Sequence, residues 1–248
     1  MSRTFALFFV LLSTVLNSTA QDTLRIMSYN IRNCRGLDNT LDIQRTADVI
    51  KSSDADVIAL QEVDSVTRRS KGIFIADTLA TLCNMQAYFS TAIEYKGGKY
   101  GLAILSKKRP IAIRRVPLPG REERRTLLIT EFSKFIFACT HLSLNEDDRL
   151  TSLAIIDSIA KNAQKPFFIA GDLNDNPQSQ FIKTMLINWD ILSPIDEYTF
   201  PADTPKATID YIATLHSNAQ AIEKFSSKVV NESKASDHRP IQTTAILK

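Results

Sequence analysis

Residues 167–174 have the sequence Phe-Phe-Ile-Ala-Gly-Asp-Leu-Asn, a short apolar run that leads into a glycine, an aspartate and an asparagine. A short apolar run that ends at a turn residue is typical of a buried strand. The polar residues follow at its carboxyl end, where open α/β sheets build their ligand crevices. This stretch therefore predicts a buried strand that delivers Asp172 and Asn174 to a site.

The same arrangement recurs at five further points of the chain. Each is a strand-like segment that runs into an asparagine, a carboxylate or a histidine. The residues delivered in this way are Asn30, Glu62, His141, Asp210, Asp237 and His238. Because a buried charge without a partner is costly, these strand ends together predict one polar site that all of them share.

Helical patterns separate the strands. Apolar residues at helical spacing predict helices over residues 42–52, 72–84 and 148–163, and Asn176 followed by Pro177 predicts another helix start. Segments 92–99 and 117–123 are expected to be short loops. Strands that alternate with helices indicate a mixed α/β protein. The sequence contains no internal repeat or linker, so residues 21–248 are expected to form one domain.

Residues 1–20 are expected to be a signal peptide. Arg3 precedes an apolar run over residues 5–16, and small residues lead up to a cleavage site after Ala20. The run is shorter than the roughly 20 residues that a membrane-spanning helix needs. We therefore expect a secreted or periplasmic protein that has no stable membrane anchor and is monomeric.

Composition excludes several classes of protein. Of 248 residues, 44% are hydrophobic and 23% are charged, which is typical of globular proteins rather than disordered ones. The formal net charge of +3 lacks the clear basic excess of a nucleic-acid binder. Residues 114–125 contain a local cluster of arginines, for which a solvated loop with some pairing to Glu122 and Glu123 is the alternative interpretation. No Gly-rich phosphate loop is present. Three cysteines do not make a disulfide framework, and pairing of Cys34 with Cys83 stays open.

Seven segments resemble motifs of the endonuclease/exonuclease/phosphatase family, which includes pancreatic-type deoxyribonuclease, abasic-site endonucleases, neutral sphingomyelinases and inositol-polyphosphate phosphatases. In the family's order they are MSYNIR, LQEVD, GLAILSK, THL, GDLND, IDYI and SDHRPI. They span residues 24–247, which is nearly all of the expected mature chain. At the central catalytic positions the sequence does not depart from the family's pattern. The resemblance implies a four-layer α/β/β/α sandwich, two mixed sheets packed face to face with helices outside, as a catalytic domain over residues 21–248.

The resemblance also implies catalytic roles. Asp172 corresponds to the general base that takes a proton from the attacking water. Asn174 would orient that water or a phosphate oxygen from the same side of an extended segment. Asp210 and His238 correspond to a carboxylate–imidazole pair beside the phosphate. His141 corresponds to a second histidine that donates to the transition state.

A metal site and a substrate contact complete the implied set. Glu62, Asn30 and Asp237 correspond to a site for Mg²⁺ or Mn²⁺, the ions that hard oxygen ligands favour. Asn30 would hold this ion or the phosphate oxygens. Arg125 corresponds to an arginine that contacts the substrate phosphate. By contrast, His216 follows in a polar segment and is expected on the surface.

These roles imply metal-dependent hydrolysis of a phosphate ester, of the phosphodiesterase or nuclease type, by in-line attack of water. The short loops suit a small or flexible ester, and the arginines leave nucleic acid as a candidate partner. One alternative is a phosphatase or lipid phosphodiesterase of the inositol-phosphatase or sphingomyelinase type. The other is a phosphate-binding module without catalysis.

Overall fold

A computed structural model describes residues 22–248, so the signal peptide expected over residues 1–20 lies outside the described residues. In chain order the strands are β1 (Asp22–Asn30), β2 (Val57–Ser65), β3 (Gln86–Tyr95), β4 (Gly98–Ser106), β5 (Ala112–Leu118), β6 (Arg125–Glu131), β7 (Ile136–His141), β8 (Phe167–Asp172), β9 (Trp189–Ile191), β10 (Asp210–Leu215), β11 (Ile222–Val229) and β12 (Ile241–Leu247). The helices are α1 (Ile43–Ser53), α2 (Ile75–Cys83), α3 (Glu146–Lys161) and α4 (Gln180–Met185).

These strands form two six-stranded sheets. The first has the order β11-β12-β1-β2-β4-β3 and the second the order β5-β6-β7-β8-β10-β9. Within them β1 is parallel to β2 and β7 is parallel to β8, whereas the neighbouring pairs are antiparallel. Both sheets are therefore mixed, as the family resemblance implies. The carboxyl ends of the four parallel strands lie at the same end of the sandwich.

Three hydrophobic cores separate four layers. Between the sheets, residues such as Ile26 and Leu102 of the first sheet meet Leu128 and Phe168 of the second. On the outer face of the first sheet, α1 and α2 contribute buried residues that include Ile50 and Leu79. On the outer face of the second, α3 and α4 contribute Ile156, Phe181 and others. The predicted α/β/β/α sandwich is confirmed.

Two of the helices begin at the caps that their sequences supply. The side chain of Asp42 accepts a hydrogen bond from the backbone N–H of Arg45, and α1 starts at the next residue. The side chain of Asn145 accepts from the N–H groups of Asp147 and Asp148 at the start of α3. Each cap satisfies backbone donors that have no partner inside the helix. The helices predicted over residues 42–52 and 148–163 are confirmed.

Several local predictions were wrong. The helix predicted to start at Asn176-Pro177 starts later, at Gln180. Its cap is Ser179, whose hydroxyl accepts a hydrogen bond from the backbone N–H of Ile182. Residues 92–99 are not a loop, since they form the tip of the β3–β4 hairpin, and residues 117–118 belong to β5. The pairing of Cys34 with Cys83, which the sequence leaves open, is absent, since the cysteines at 34, 83 and 139 are free thiols.

No helix within residues 22–248 combines the length and the apolar character that crossing a membrane requires.

Candidate active site

Three of the predicted site residues lie side by side on the second sheet. His141 ends β7 and is paired in register with Asp172, which ends β8. Asp210 begins the antiparallel strand β10 and is also paired with Asp172. All three side chains are buried. The register of three adjacent strands therefore brings together an imidazole and two carboxylates that are distant in sequence.

The first sheet supplies Asn30 and Glu62 from the facing layer. Asn30 ends β1 and is paired with Gln61 on the parallel strand β2. The register between β2 and β4 shifts between Leu60 and Val63, and Glu62 within this bulge has a φ of 58°. Bulges redirect side chains at functional sites, and a non-glycine residue in the left-handed region carries backbone strain. The strain thus falls on the residue expected to bind the metal ion.

The segment before β12 contributes Asp237 and His238. The hydroxyl of Ser236 donates a hydrogen bond to the backbone oxygen of Asn30 at 2.7 Å and accepts one from the backbone N–H of His238 at 3.3 Å. The ring of Phe200 lies 4.8 Å from the His238 ring, centroid to centroid. These contacts fix His238 against the end of β1.

Asn30 is the centre of the cluster. Its side-chain oxygen accepts the backbone N–H of Arg32 at 3.1 Å, which orients the amide because a backbone N–H can only donate. The amide nitrogen then donates to Asp172 Oδ2 at 3.1 Å and to Glu62 Oε1 at 3.3 Å. It also lies 3.4 Å from Nε2 of His238. Asn30 therefore presents its amide donor to the centre, while its side-chain oxygen accepts from the backbone of Arg32.

His238 lies between two carboxylates. Its Nδ1 is 3.0 Å from Asp210 Oδ2 and its Nε2 is 3.7 Å from Asp172 Oδ2. Burial alone would lower the pKa of His238, but the charges of Asp210 and Asp172 outweigh it and raise the pKa to about 10. The ring is consequently an imidazolium at neutral pH, held by carboxylates on both of its nitrogens.

His141 has the opposite electrostatics. Its Nε2 lies 3.5 Å from the same oxygen of Asp172. Burial lowers the pKa of His141 to about 4 in spite of Asp172, and the positive charges of Arg125 and His238 lower it further. A neutral imidazole can donate or accept one hydrogen bond at this position without adding charge.

Asn174 and Arg125 lie near the cluster, and hydrogen bonds and ion pairs to neighbouring residues hold each side chain in place. Asn174 has a φ of 54°, so the expectation that it follows Asp172 on an extended segment was wrong. Its N–H donates to Asp172 Oδ1 at 2.9 Å and its side-chain nitrogen to the Leu142 oxygen at 2.9 Å. Arg125 is 7% exposed, and its terminal nitrogens contact Glu122 at 2.9 Å and Glu123 at 3.2 Å.

The carboxylates of the cluster fit a divalent cation. Burial raises the pKa of Glu62, and the neighbouring charge of Asp237 raises it further. One oxygen of Asp210 is buried and has no hydrogen-bond partner among the described residues. Glu62, Asp237 and Asp172 are hard oxygen donors, and their mutual repulsion is what a bound Mg²⁺ or Mn²⁺ would offset.

A second grouping competes for the metal assignment. Single ligand atoms of Asp172, Asp210 and His238 lie within 4.8 Å of one another. In this grouping the two ring nitrogens of His238 lie 3.0 Å from Asp210 Oδ2 and 3.7 Å from Asp172 Oδ2. Glu62 and Asp237 form the other pair of carboxylates at the centre, and the charge of Asp237 raises the pKa of Glu62.

Three supporting residues were missed by the sequence analysis. Arg32 pairs with Asp237 at 3.4 Å, and Ser236 joins β1 to the His238 segment. Both belong to motifs that had been recognised, so they could have been chosen with their neighbours. Glu122 accepts hydrogen bonds from Arg125, as the alternative interpretation of the arginine cluster expected, and also from Ser143 Oγ and the Leu144 N–H, which no pattern in the sequence predicted. The predicted surface residue His216 is confirmed as half-exposed and contacts Asp190 at 3.3 Å.

The fold and the sequence resemble those of known proteins. Residues 27–238 match the sequence model of the Endonuclease/Exonuclease/phosphatase family. An endonuclease/exonuclease/phosphatase family protein from Bacteroides thetaiotaomicron superposes with a TM-score of 0.73 at 14% identity, over 92% of this chain and 99% of that one. A mannosyl-6-phosphatase of the same organism gives 0.71 at 14% identity, over 90% and 100% of the two chains.

A truncated TDP2 from Caenorhabditis elegans gives a TM-score of 0.68 at 20% identity, over 90% of this chain and 97% of that one. At these identities the likenesses show the fold. No curated protein matches the chain in sequence.

Proposed function

We propose that this chain, which belongs to the endonuclease/exonuclease/phosphatase family, hydrolyses phosphate esters by attack of a water molecule that Asp172 deprotonates. The observation that carries the proposal is the convergence on Asp172 of Asn30, His141 and His238, with His238 charged and His141 neutral. An anionic base beside a fixed imidazolium is an arrangement for accepting a proton while an adjacent phosphate gains negative charge.

Each residue then has a separate task. Asp172 accepts the proton of the attacking water, and the N–H of Asn174 and the amide of Asn30 hold its two oxygens in place. His238, kept protonated by Asp210, stabilises the charge on the phosphate oxygens. His141 donates a hydrogen bond to the same phosphate oxygens. Because its ring is neutral, it adds no charge beside Asp172. Arg125 contributes a further positive charge nearby, once a substrate phosphate competes with Glu122 and Glu123 for it.

Glu62 and Asp237, together with the side-chain oxygen of Asn30, would hold a divalent cation, Mg²⁺ or Mn²⁺. When bound, such an ion supplies Lewis-acid stabilisation of charge on the phosphoryl oxygens.

Hydrolysis by the purified protein tests the proposal directly. We expect bis-p-nitrophenyl phosphate to be cleaved with Mg²⁺ or Mn²⁺ and not with EDTA, and Asp172→Asn to lose activity by roughly 10² to 10⁴-fold. Asp190→Asn, a carboxylate on the surface, is the matched control and should keep full activity. Activity that survives both EDTA and Asp172→Asn would overturn the mechanism. Phosphate binding with no turnover on any ester would instead identify a binding module.

The same assay separates the substrate classes. Plasmid DNA, p-nitrophenyl phosphate, inositol phosphates and sphingomyelin represent the nuclease, the phosphatase and the lipid branches. The phosphatase candidate has specific support, because one structural neighbour is named as a mannosyl-6-phosphatase. A monoester preferred over the diester would favour it. Cutting of DNA alone, weakening steeply with salt, would favour the nuclease.

Export and a monomeric state belong to the proposal as well. The apolar run over residues 5–16 and the small residues before Ala20 support cleavage of a leader. Amino-terminal sequencing of protein recovered outside the cytoplasm should begin near Gln21, and light scattering should give the mass of one chain.

A further inference from the structure

The end of the sandwich opposite the active centre carries an unusual edge. Segment 107–115 reads Lys-Lys-Arg-Pro-Ile-Ala-Ile-Arg-Arg and runs from the end of β4 into β5. The aliphatic side chains of Ile111 and Ile113 are 66% and 40% exposed. All of residues 111–115 are exposed, although one face of a strand in a sandwich is normally buried. We call this segment, with Lys165 beside it, the far-end surface.

Apolar crevices flank the exposed isoleucines. On one side a crevice of about 260 Å³ is lined by Ile111, Phe132, Phe135 and Leu247 together with Lys108 and Arg109. On the other side a crevice of about 380 Å³ is lined by Ile113, Ile159, Ala163 and Phe167 together with Arg114 and Lys165. Each crevice therefore combines an apolar floor with basic residues around it.

Positive charge is concentrated at this end of the molecule. The far-end surface has six basic side chains, and the acidic residues that contact them are Asp54, Asp56 and Glu131. Its formal net charge is thus +3, which equals the formal net charge of the whole chain. The charges of all other residues together sum to zero, and the carboxylates of the active centre lie among them. Charge and exposed aliphatic surface coincide here.

We infer that the far-end surface is a docking site for an anionic lipid bilayer. Basic side chains around exposed aliphatic residues match a surface that has anionic headgroups above hydrocarbon. The basic residues supply attraction to the headgroups, and Ile111 and Ile113 enter the boundary between headgroups and acyl chains. The contact is peripheral and reversible because only two large aliphatic side chains take part.

Two other kinds of partner fit the same surface less well. A second strand, from another copy of this chain, would have to pair with the free edge of β5. Arg114, Arg115 and Pro117 oppose that pairing, since like charges repel and proline has no N–H to donate. A soluble nucleic acid would favour aromatic side chains on which bases stack, and the exposed apolar residues here are isoleucines.

The position of the surface determines how a bound molecule is oriented. In the β5–β6 ladder Leu118 pairs with Arg125 near the active centre, and Ala112 pairs with Glu131 at the other end. Six residues of strand separate the two pairs by about 20 Å. A molecule docked through the far-end surface therefore presents its active centre to the aqueous phase and not to the lipid.

Co-sedimentation with vesicles tests the inference without any substrate, so its failure is distinguishable from failure of the proposed hydrolysis. We expect binding to vesicles made of equal amounts of phosphatidylcholine and phosphatidylglycerol, weakening as salt is added, and little binding to phosphatidylcholine alone. The double variant Lys108→Glu/Arg109→Glu should bind at least about tenfold more weakly. Ile111→Asn should weaken binding several-fold and keep the salt dependence.

Matched controls use equally exposed residues elsewhere. Lys183→Glu/Lys228→Glu has the same charge change, and Ile187→Asn alters a side chain that is 70% exposed. Both should bind vesicles like the original protein. Any contribution of residues 1–21 is equal in all variants.

Three results would overturn the inference. One is equal binding by the original protein and the charge-reversal variant. Another is an Ile111→Asn variant that binds vesicles and heparin as well as the original does, since that would indicate a soluble polyanion. The third is a dimer in size-exclusion chromatography that the variants abolish, which would make the surface a contact between copies.

Discussion

Two histidines contact one oxygen of Asp172 and differ in charge at neutral pH. Nε2 of His238 is 3.7 Å from that oxygen and Nε2 of His141 is 3.5 Å from it. Burial lowers the pKa of both rings, and only His238 has a second carboxylate that offsets it. His238 has Asp210 on its other nitrogen, whereas His141 has the positive charge of Arg125 nearby. One carboxylate can thus serve as a base beside both rings without being neutralised by two cations.

Asp210→Asn should move the alkaline limb of the pH–rate profile. Asp210 is the largest influence that raises the pKa of His238 to about 10, so the amide lets that pKa fall. Activity that needs the imidazolium should then decline at a pH lower by at least about one unit. NMR titration of the ring and the pH dependence of kcat measure this. Asp190→Asn, which removes the carboxylate beside His216, is the matched control and should leave the profile in place.

His141 should make the fold sensitive to acid. Its pKa of about 4 in the folded protein lies below the usual 6.5, so the unfolded chain binds its proton first as the pH falls. The stability that the neutral ring contributes is complete above pH 6.5 and is lost as the pH falls to 4, on the order of 3 kcal/mol. Urea unfolding of His141→Gln should show that its free energy of unfolding falls less steeply between pH 6.5 and 4 than that of the original protein. The same slope in the variant and the original would contradict the assignment, and His216→Gln serves as the surface control.

At the scale of elements, buried strands were predicted well and edge strands were not. Segments such as 167–172 are continuous apolar runs because both of their faces are covered. The edge strands β5 and β11, with sequences AIRRVPL and IEKFSSKV, carry several charges and resemble loops in composition. Their pairing is set by the neighbouring strand, which a single-sequence pattern does not contain.

The candidate site also has features that the sequence predicted and features that it did not. The chemical types at the strand ends predicted which side chains would meet, because parallel strands bring their carboxyl ends together. The backbone of Glu62 and Asn174 was not predictable, since a φ near +55° at a non-glycine residue is imposed by surrounding contacts. For Arg125 the sequence left open a contact with the substrate phosphate and a pairing with Glu122 and Glu123, and the structure shows the pairing. The sequence does not decide between them because the loop conformation has no sequence signature.

Gly171→Ala should reduce activity through the packing of two strands. A Cβ at Gly171 would lie 2.0 Å from the backbone oxygen of Thr140 on the parallel strand β7. The strands would have to separate beside the His141–Asp172 pair, at a cost of about 1 to 3 kcal/mol in the free energy of unfolding. We expect a lower kcat together with a lower melting temperature.

Gly72→Ala separates these two effects. Gly72 has a φ of 74° and nothing within 4 Å of the added Cβ, so its substitution should cost about 1 kcal/mol in stability by backbone strain alone. Activity should stay at the original level. If Gly171→Ala lost only as much activity as Gly72→Ala, the spacing of β7 and β8 would not control the site.

At the scale of the whole molecule, the two sheets place like charges against each other. The first sheet and the segment before β12 supply Glu62 and Asp237, and the second sheet supplies Asp172 and Asp210. Burial and the charge of Asp237 raise the pKa of Glu62, which means that its ionised form opposes folding. The sandwich therefore closes over a cluster that costs stability when no cation is bound, a relationship common at functional sites.

Glu62→Gln should consequently stabilise the metal-free protein while abolishing its response to metal. In EDTA we expect its melting temperature to lie above that of the original protein by a few degrees, since the repulsion with Asp237 is removed. For the original protein, Mg²⁺ or Mn²⁺ at about 100 times the dissociation constant should add roughly 2.7 kcal/mol, or several degrees for a chain of this length. The variant should gain almost nothing from either ion. Calorimetry with and without metal measures both quantities, and Glu197→Gln on the surface should behave like the original. A Glu62→Gln variant that melts lower in EDTA would show that Glu62 does not oppose folding. A variant that still responds to metal would show that Glu62 does not hold the cation.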